Sequence, residues 1–510
     1  MLESFPFSKA IRGFCIKPFL IGLLIFVTTA PIYFVLAGFV VISYFLHFNY
    51  YQSDLRLKIK YGISFGLGFF FANYYWMSFS MLVDFTSYWF YFFPSLIIIP
   101  GYFVLFYLLP QIYILDYLHK RYRLSKLKFY LVAIILWFLF EVIRSSILVL
   151  IDFQGFSWGL LGYNFFVNDN LSQIYSLIGT YGASLVIAFI YGSLFLVTNE
   201  KFSLGTKRSF ICFLISNIVI IGLIYGYGEW RIKSQDKSEV KKFSYLIVHP
   251  SISEHHGFIS ERAKANIDKE INIASKQGGR YDFVIFPEGG VSFPVESLDD
   301  SEVFNYILGR LDNARFLVAG ATRIANGSEY YNSFFVYDEF GKLQDFYDKK
   351  YLVPFGEYIP YLRIFNSPLA SNSSGYLSGE TKSIKIHDNL PIIKPLICYD
   401  ALYSMATIRK PADVIINISN DIWFIQKMFN IQISTAPFQH LDIVRSRAIE
   451  SATPVLRSTN LGISAVIDSR GRVVKQAKPY EAGVLSGDLI ISQAQKTIYQ
   501  KIMLKLFGVG

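Results

Sequence analysis

The chain has two textures. Up to about residue 230 apolar residues run in long, nearly unbroken blocks; beyond it they come in short runs parted by polar and charged positions. A membrane-spanning helix needs about 20 mostly apolar residues. Stretches at 61–80, 88–117, 128–151, 173–198 and 209–229 meet that length. The first apolar region, 13–48, is too long for one ordinary span and short for two. Pro31, after Thr28 and Thr29, predicts a tight hairpin of two short helices there. The positions of Lys and Arg set the orientation, because short inner loops collect them. Lys9, Arg12 and Lys17 precede the hairpin, and Arg56, Lys58 and Lys60 come after it. The loop near 80–87 has Asp84 and no base. The loop near 118–128 has Lys120, Arg121, Arg123, Lys126 and Lys128. The loop near 152–172 has no base, and the one near 199–208 has Lys201, Lys207 and Arg208. This alternation predicts about seven spans with the N-terminus inside. The region beyond residue 230 is then outside, which in a bacterium means periplasmic. Glu141 and Arg144, three apart on one face of the fifth span, read either as a pair that orients the helix or as a site near a lipid headgroup.

Past residue 230, β-rich runs occur at 243–248, 283–286, 316–320, 333–337, 392–398, 414–418 and 463–467, with helical patterns at 258–276, 301–314 and 435–452. Asp338-Glu339-Phe340-Gly341 and Asp468-Ser469-Arg470-Gly471 read as hairpin turns. Alternating strands and helices predict one α/β domain with sheets covered by helices. The expected division is 1–230 as a transmembrane helical bundle, 231–495 as an outer domain and 496–510 as a short tail, too short to cross a membrane.

Composition agrees. Of 510 residues, 53% are hydrophobic and 17% charged, against roughly a quarter charged in soluble domains. Disorder is excluded, and a wholly soluble protein is disfavoured. The net charge of +10 is accounted for by inner loops and calls for no nucleic acid. Cys15, Cys212 and Cys398 give no disulfide framework, and only Cys398 lies in a polar context.

Three outer-domain residues together carry chemistry. Glu288 follows a buried strand in VIFPEGG. Lys349 and Lys350 lie in FYDKKYLVPFGEYIP, ahead of Glu357. Cys398 ends PLIC, before Tyr399 and Asp400. Singly, each has an ordinary structural reading: a capping carboxylate, a surface lysine, a small packing residue. As a set they supply a base, a cation and a nucleophile, the complement acyl transfer needs. No GxSxG, phosphate loop or Cys/His metal cluster competes. His255, His256 and His440 are isolated, with surface or core roles as the default.

The segments VIFPEGG, FYDKKYLVPFGEYIP, PLICYDALY, ISNDIWF and FQHLDIVRSRAIESATPVLRSTNLGISAVIDSRGRV resemble the nitrilase, or carbon–nitrogen hydrolase, superfamily. With WFLFEVIRSS and FSWGLLGY in the membrane half, the chain resembles the apolipoprotein N-acyltransferases within it. The resemblance implies an αββα sandwich set on a membrane bundle in the inner membrane, and a catalytic triad of Glu288, Lys349 and Cys398. It implies supporting or substrate-binding roles for Glu357, Tyr399, Asp400, Asn420 and Trp423. It further implies a monomer without cofactor or metal that moves an acyl chain from a phospholipid to the N-terminal amine of a diacylglyceryl-cysteine apolipoprotein, through a cysteine thioester.

The chain departs from that pattern at several places. Asp400 stands where a glutamate is usual, His249-Pro250-Ser251 replaces a polar turn, Phe258 replaces a tryptophan, and Ile425 replaces a glycine ahead of a longer loop to Gln439-His440. The tail lacks an expected eighth span. Two other functions stay open on sequence: a membrane-tethered amidase or nitrilase hydrolysing a carbon–nitrogen bond, and a non-catalytic lipoprotein-binding relic.

Overall fold

The computed structural model describes residues 14–507 except 84, 147–154, 235–238, 253–259, 297, 299–301, 359–374, 411, 426, 429–430, 433 and 493–494. Lys9, Arg12, Asp84, His255, His256 and Phe258 therefore lie outside the described residues.

The N-terminal half is helical. Ile16–Leu23 continues as a 3-10 turn over Leu24–Thr28, and the chain reverses before Leu36–Tyr51. This is the hairpin expected from Pro31. Leu55–Tyr74, Phe85–Phe103, Leu109–Tyr122, Lys126–Ser146, Tyr175–Gly192 and Lys207–Lys233 come next. Glycine lets two of these helices meet backbone to backbone. A Cβ on Gly22 would stand 2.1 Å from the Phe65 carbonyl oxygen, and one on Gly68 would stand 2.1 Å from that of Phe19, the small-residue contact typical of membrane helices. By length and composition, three described helices can cross a membrane: Tyr88–Tyr122, Tyr175–Val197 and Lys207–Lys233; Ile16–Thr28 is a shorter apolar helix. The last long helix runs three residues beyond the expected boundary at 230.

Two charged features differ from expectation. Lys58 is not a loop residue; it is buried in Leu55–Tyr74, and its Nζ lies 2.8 Å from Asp116 Oδ1. Glu141 and Arg144 do not pair. Arg144 donates to the Tyr74 hydroxyl and to the carbonyls of Phe156 (3.1 Å) and Trp158 (2.7 Å). Glu141 accepts from Trp137 Nε1 at 3.2 Å and Leu161 N at 3.3 Å. The carbonyls of Phe156 and Trp158 and the Tyr74 hydroxyl thus satisfy Arg144, whereas both contacts of Glu141 fall on Oε1 and its Oε2 has no hydrogen-bond partner among the described residues.

The outer domain holds strands β1 (Glu239–His249), β2 (Tyr281–Ile285), β3 (Val291–Val295), β4 (Ala314–Ala325), β5 (Glu329–Asp338), β6 (Leu343–Asp348), β7 (Ile393–Ile397), β8 (Val414–Asn420), β9 (Lys427–Met428), β10 (Ile431–Gln432), β11 (Val455–Asn460), β12 (Ala465–Ile467), β13 (Val473–Gln476) and β14 (Gly483–Ser492). One sheet runs β14-β1-β2-β4-β5-β6, with β3 beside β4; the other runs β13-β12-β11-β8-β7. Period-two alternation assigns each face. Tyr245, Ile247, Phe283 and Phe316 share a core with Ile397, Ile416, Ile418 and Leu456 of the second sheet. The intervening Leu246, Val248, Val284 and Leu317 pack under the helices Ser260–Ser275 and Glu302–Leu308. The far face of the second sheet, with Leu396, Ile415 and Val455, packs on helix Ala436–Ser451 and joins the core of the bundle. The layers are thus helix, sheet, sheet, helix, with the bundle against the last. The helix expected at 301–314 is shorter, Glu302–Leu308, with a turn before β4 begins at Ala314. His249 closes the inter-sheet gap: it is buried, with Nδ1 2.8 Å from the Thr459 oxygen and 3.0 Å from Ser464 Oγ. The tail forms a helix, Ile498–Leu506, whose Thr497 cap donates to the Glu450 carbonyl at 2.5 Å.

Candidate active site

Strands end where ligands commonly bind, because their carboxyl ends release side chains from the sheet. Glu288 follows β2 by three residues. Its backbone lies directly on β4, where only glycine fits: a Cβ on Gly320 would come within 2.8 Å of Glu288 Cα. Lys349 follows β6, pinned by its own N–H to the Asn332 carbonyl at 2.8 Å. Cys398 follows β7 and opens the 3-10 turn Cys398–Leu402 with a φ of +44°, in the left-handed region.

Lys349 is 1% exposed and is held between two carboxylates, 3.2 Å from Glu288 Oε1 and 2.8 Å from Glu357 Oε1. Asn332 Nδ2 donates to the same two oxygens at 2.8 and 2.9 Å. The other oxygen of Glu288 accepts from the Asn420 N–H at 2.9 Å, and that of Glu357 from the Val353 N–H at 2.8 Å. Burial alone would favour neutral lysine; the charges of Glu288 and Glu357 outweigh it and hold the amine well above its ordinary range. An ammonium has three donors, so one remains after these two contacts. Burial pushes the Cys398 thiol up and the Glu288 carboxylate adds to the rise; Lys349 opposes both. The resting sulfur is therefore a thiol, and nucleophilic attack needs a base.

Behind the cysteine, Asp400 is fully buried. It accepts from the Ile397 N–H, the Tyr351 N–H and the Tyr347 hydroxyl, each at 2.9 Å. Burial raises its carboxyl to about 6 against the opposing charge of Lys349. The shortened side chain thus anchors the turn that presents Cys398. A second buried network joins Asp421, His440 and Arg457: Asp421 lies 2.9 Å from each of His440 Nδ1 and Arg457 Nη2. Cys398, Asp421 and His440 could by spacing hold a metal, but Arg457 already supplies the compensating cation.

Glu288, Lys349, Glu357, Cys398, Asn420 and Trp423 line one cavity of about 380 Å³, together with Asn332, Tyr376 and, from the bundle, Ser80. Trp423 is 38% exposed at its mouth, and the adjacent Phe424 packs on Trp76 and Trp158 of the bundle. Two sequence candidates lie elsewhere. Tyr399 turns to the bundle, its hydroxyl donating to the Gly155 carbonyl at 3.2 Å. Asp400 supports from behind. Lys350 is half-buried and does not line the cavity. Sequence reasoning missed Asn332, which lies on β5 one residue ahead of the run read at 333–337, and gave His440 no neighbour, since Asp421 and Arg457 reach it only through the fold.

The carbon–nitrogen hydrolase family matches residues 254–499, and the apolipoprotein N-acyltransferase N-terminal domain matches residues 21–193. The apolipoprotein N-acyltransferase of Rickettsia typhi is 30% identical over 491 residues, covering 95% of this chain and 93% of its own. That of Rickettsia prowazekii is 30% identical, covering 94% and 93%. That of Allorhizobium ampelinum is 26% identical, covering 88% and 82%.

Proposed function

The chain belongs to the apolipoprotein N-acyltransferase family, and on that premise we propose that it transfers an acyl chain from a membrane phospholipid to the N-terminal amine of a diacylglyceryl-cysteine lipoprotein, with Glu288, Lys349 and Cys398 as its catalytic residues. The observation that carries this reading is the convergence of the three on one cavity at the junction of bundle and outer domain. Glu288 takes the thiol proton as Cys398 Sγ attacks the ester carbonyl carbon. The oxyanion that forms is met by the remaining N–H of Lys349. The ester C–O bond breaks, the proton passes to the departing lysophospholipid oxygen, and a thioester remains. The lipoprotein amine then attacks the thioester carbon and gives a proton to Glu288; the C–S bond breaks, and that proton passes to the departing sulfur, restoring the thiol and the free carboxylate. Glu357 and Asn332 hold Lys349 and Glu288 in register; Trp423 and Asn420 border the entrance.

The chemistry also gives the bundle a purpose. Both substrates are lipid-anchored, so the cavity must open at a leaflet, and Ser80 and the Trp76–Phe424–Trp158 contact support an opening beside the helices. In the same reading the helices form seven spans in the inner membrane of a bacterium, with the catalytic domain periplasmic. The test is expression in a strain depleted of this activity, followed by mass spectrometry of lipoprotein N-terminal peptides. An added amide-linked acyl chain is expected. Released fatty acid with the amine still free would instead mark a hydrolase.

A further inference from the structure

One acidic side chain in the cavity has no part in that chemistry. Glu270, in the middle of helix Ser260–Ser275, is 1% exposed and lines the same cavity as Cys398. Its Oε2 has no hydrogen-bond partner among the described residues. The carboxylate head occupies the space that Gly290 leaves open: a Cβ there would stand 2.8 Å from Oε2. The N–H of Gly290 is already spent on the Pro287 carbonyl at 3.1 Å. Asn266, one turn earlier on the same helix face, lines the cavity as well.

An unpartnered buried carboxyl is costly unless a ligand completes it. Burial drives this one well above the usual carboxylate range, and the only charge acting against burial is that of Lys269. The hydrogen bonds of Lys349 and Glu288 go to other partners, so Glu270 stands apart from the reacting cluster. A cation entering from the cavity would convert the neutral acid to a carboxylate and form a charge-assisted contact in a dry setting.

We propose that Glu270 and Asn266 form a remote subsite for a non-reacting primary ammonium group carried by a substrate, an inference that rests on the acyl transfer proposed above. The ammonium can come from an aminophospholipid headgroup or from a lysine side chain near the lipoprotein N-terminus; the reacting amine is a third group and must lie at Cys398.

The experiment has two arms. In the donor arm, Cys398→Ala protein is titrated with phosphatidylethanolamine or phosphatidylglycerol of identical chains, and bound lipid is read by native mass spectrometry. The rate of thioester formation from the same lipids is measured on the Cys398-intact enzyme. In the acceptor arm, preloaded enzyme transfers its chain to diacylglyceryl-cysteine peptides bearing lysine or norleucine at the third position. A preference for the ammonium-bearing partner of roughly 10- to 100-fold is expected in one arm, lost in Glu270→Gln, reduced in Asn266→Ala and partly kept in Glu270→Asp. Equal preference in Glu270→Gln and the parent protein in both arms overturns the subsite. If the intact enzyme forms no thioester while the binding preference and its loss persist, the subsite stands and the reaction assigned to it falls.

Discussion

Two clusters of buried charge in the outer domain are handled differently. Where helix Ala436–Ser451 meets the bundle, the charged heads of Asp442, Arg447 and Glu450 are buried in protein. Glu450 accepts from the Thr180 N–H at 2.8 Å and its hydroxyl at 2.6 Å, and lies 3.3 Å from Arg447. Arg445 spans Asp442 (3.0 Å) and Asp169 (2.6 Å), and Tyr33 donates to Asp442 at 2.5 Å. None of these groups lines the cavity that holds Cys398. At the ends of β2, β6 and β7, by contrast, Glu288, Lys349 and Cys398 are as tightly placed but face an open volume. The same device, charge held by charge in a low-dielectric setting, fixes two domains together in one place and leaves donor capacity for a reacting molecule in the other. Burial and ion pairing do not separate the two roles; the adjoining space does.

Substitutions can test whether the two regions differ in this way. Cys398→Ala is expected to abolish acyl transfer while leaving the unfolding midpoint nearly unchanged; Cys15→Ala and Cys212→Ala, outside the site, should keep activity. Glu288→Gln keeps the shape of the side chain and removes the base, and the loss expected is roughly 100- to 10,000-fold in the rate of thioester formation. Lys349→Met should slow both half-reactions by about 100- to 1,000-fold, since each passes through an oxyanion, whereas Lys350→Met should be nearly silent. A crippled Lys350→Met beside a normal Lys349→Met would move the assignment by one residue. The interface must behave in the opposite way. Glu450→Ala strands Arg447 in a buried site and should cost about 3–5 kcal/mol of stability, read by denaturant unfolding in detergent, with residual activity in whatever protein stays folded.

The division into a helical half and an α/β half was legible from hydrophobic run length, and the hairpin at Pro31 from one proline in an overlong block. The strands that were missed explain the limits of such reading. β14 (Gly483–Ser492) is a long strand with an alternating, half-exposed face against β1, and its polar positions hide it. β11 carries Arg457, Ser458, Thr459 and Asn460 inside the protein, a polar string no hydropathy rule assigns to a core strand; the Arg457–Asp421 pair makes its burial possible. For the candidate site, motif chemistry picked out Glu288, Lys349, Glu357 and Cys398, which line one cavity. It did not pick out Asn332 or Glu270, which line the same cavity because the fold brings them there. Asp400 reads on sequence as supporting the site or binding substrate; the 3-10 turn aims it away from the cavity, onto the Ile397 and Tyr351 N–H groups.

A smaller effect is expected at Asp400 itself. Native Asp400 releases its proton near 6, an unfolded aspartate near 3.9. Between about pH 4 and 6 the native state therefore binds the extra proton, and this residue's contribution to stability is greatest below that window and falls as pH rises through it. Its share of the slope is at most about 1.4 kcal/mol per pH unit. Asp400→Asn should flatten the unfolding midpoint over this range, and an unchanged slope would mean that Asp400 is ionised in the fold.

In the proposed mechanism everything turns on Cys398 carrying the acyl group between the two substrates. Purified protein incubated with phospholipid in the absence of acceptor, then analysed intact by mass spectrometry, tests that step. A gain of one acyl chain is expected, mapped to the Cys398 peptide, released by hydroxylamine, and absent in Cys398→Ala and Glu288→Gln. Acyl transfer to a lipoprotein amine that proceeds with no such adduct, or that persists in Cys398→Ala, would contradict it.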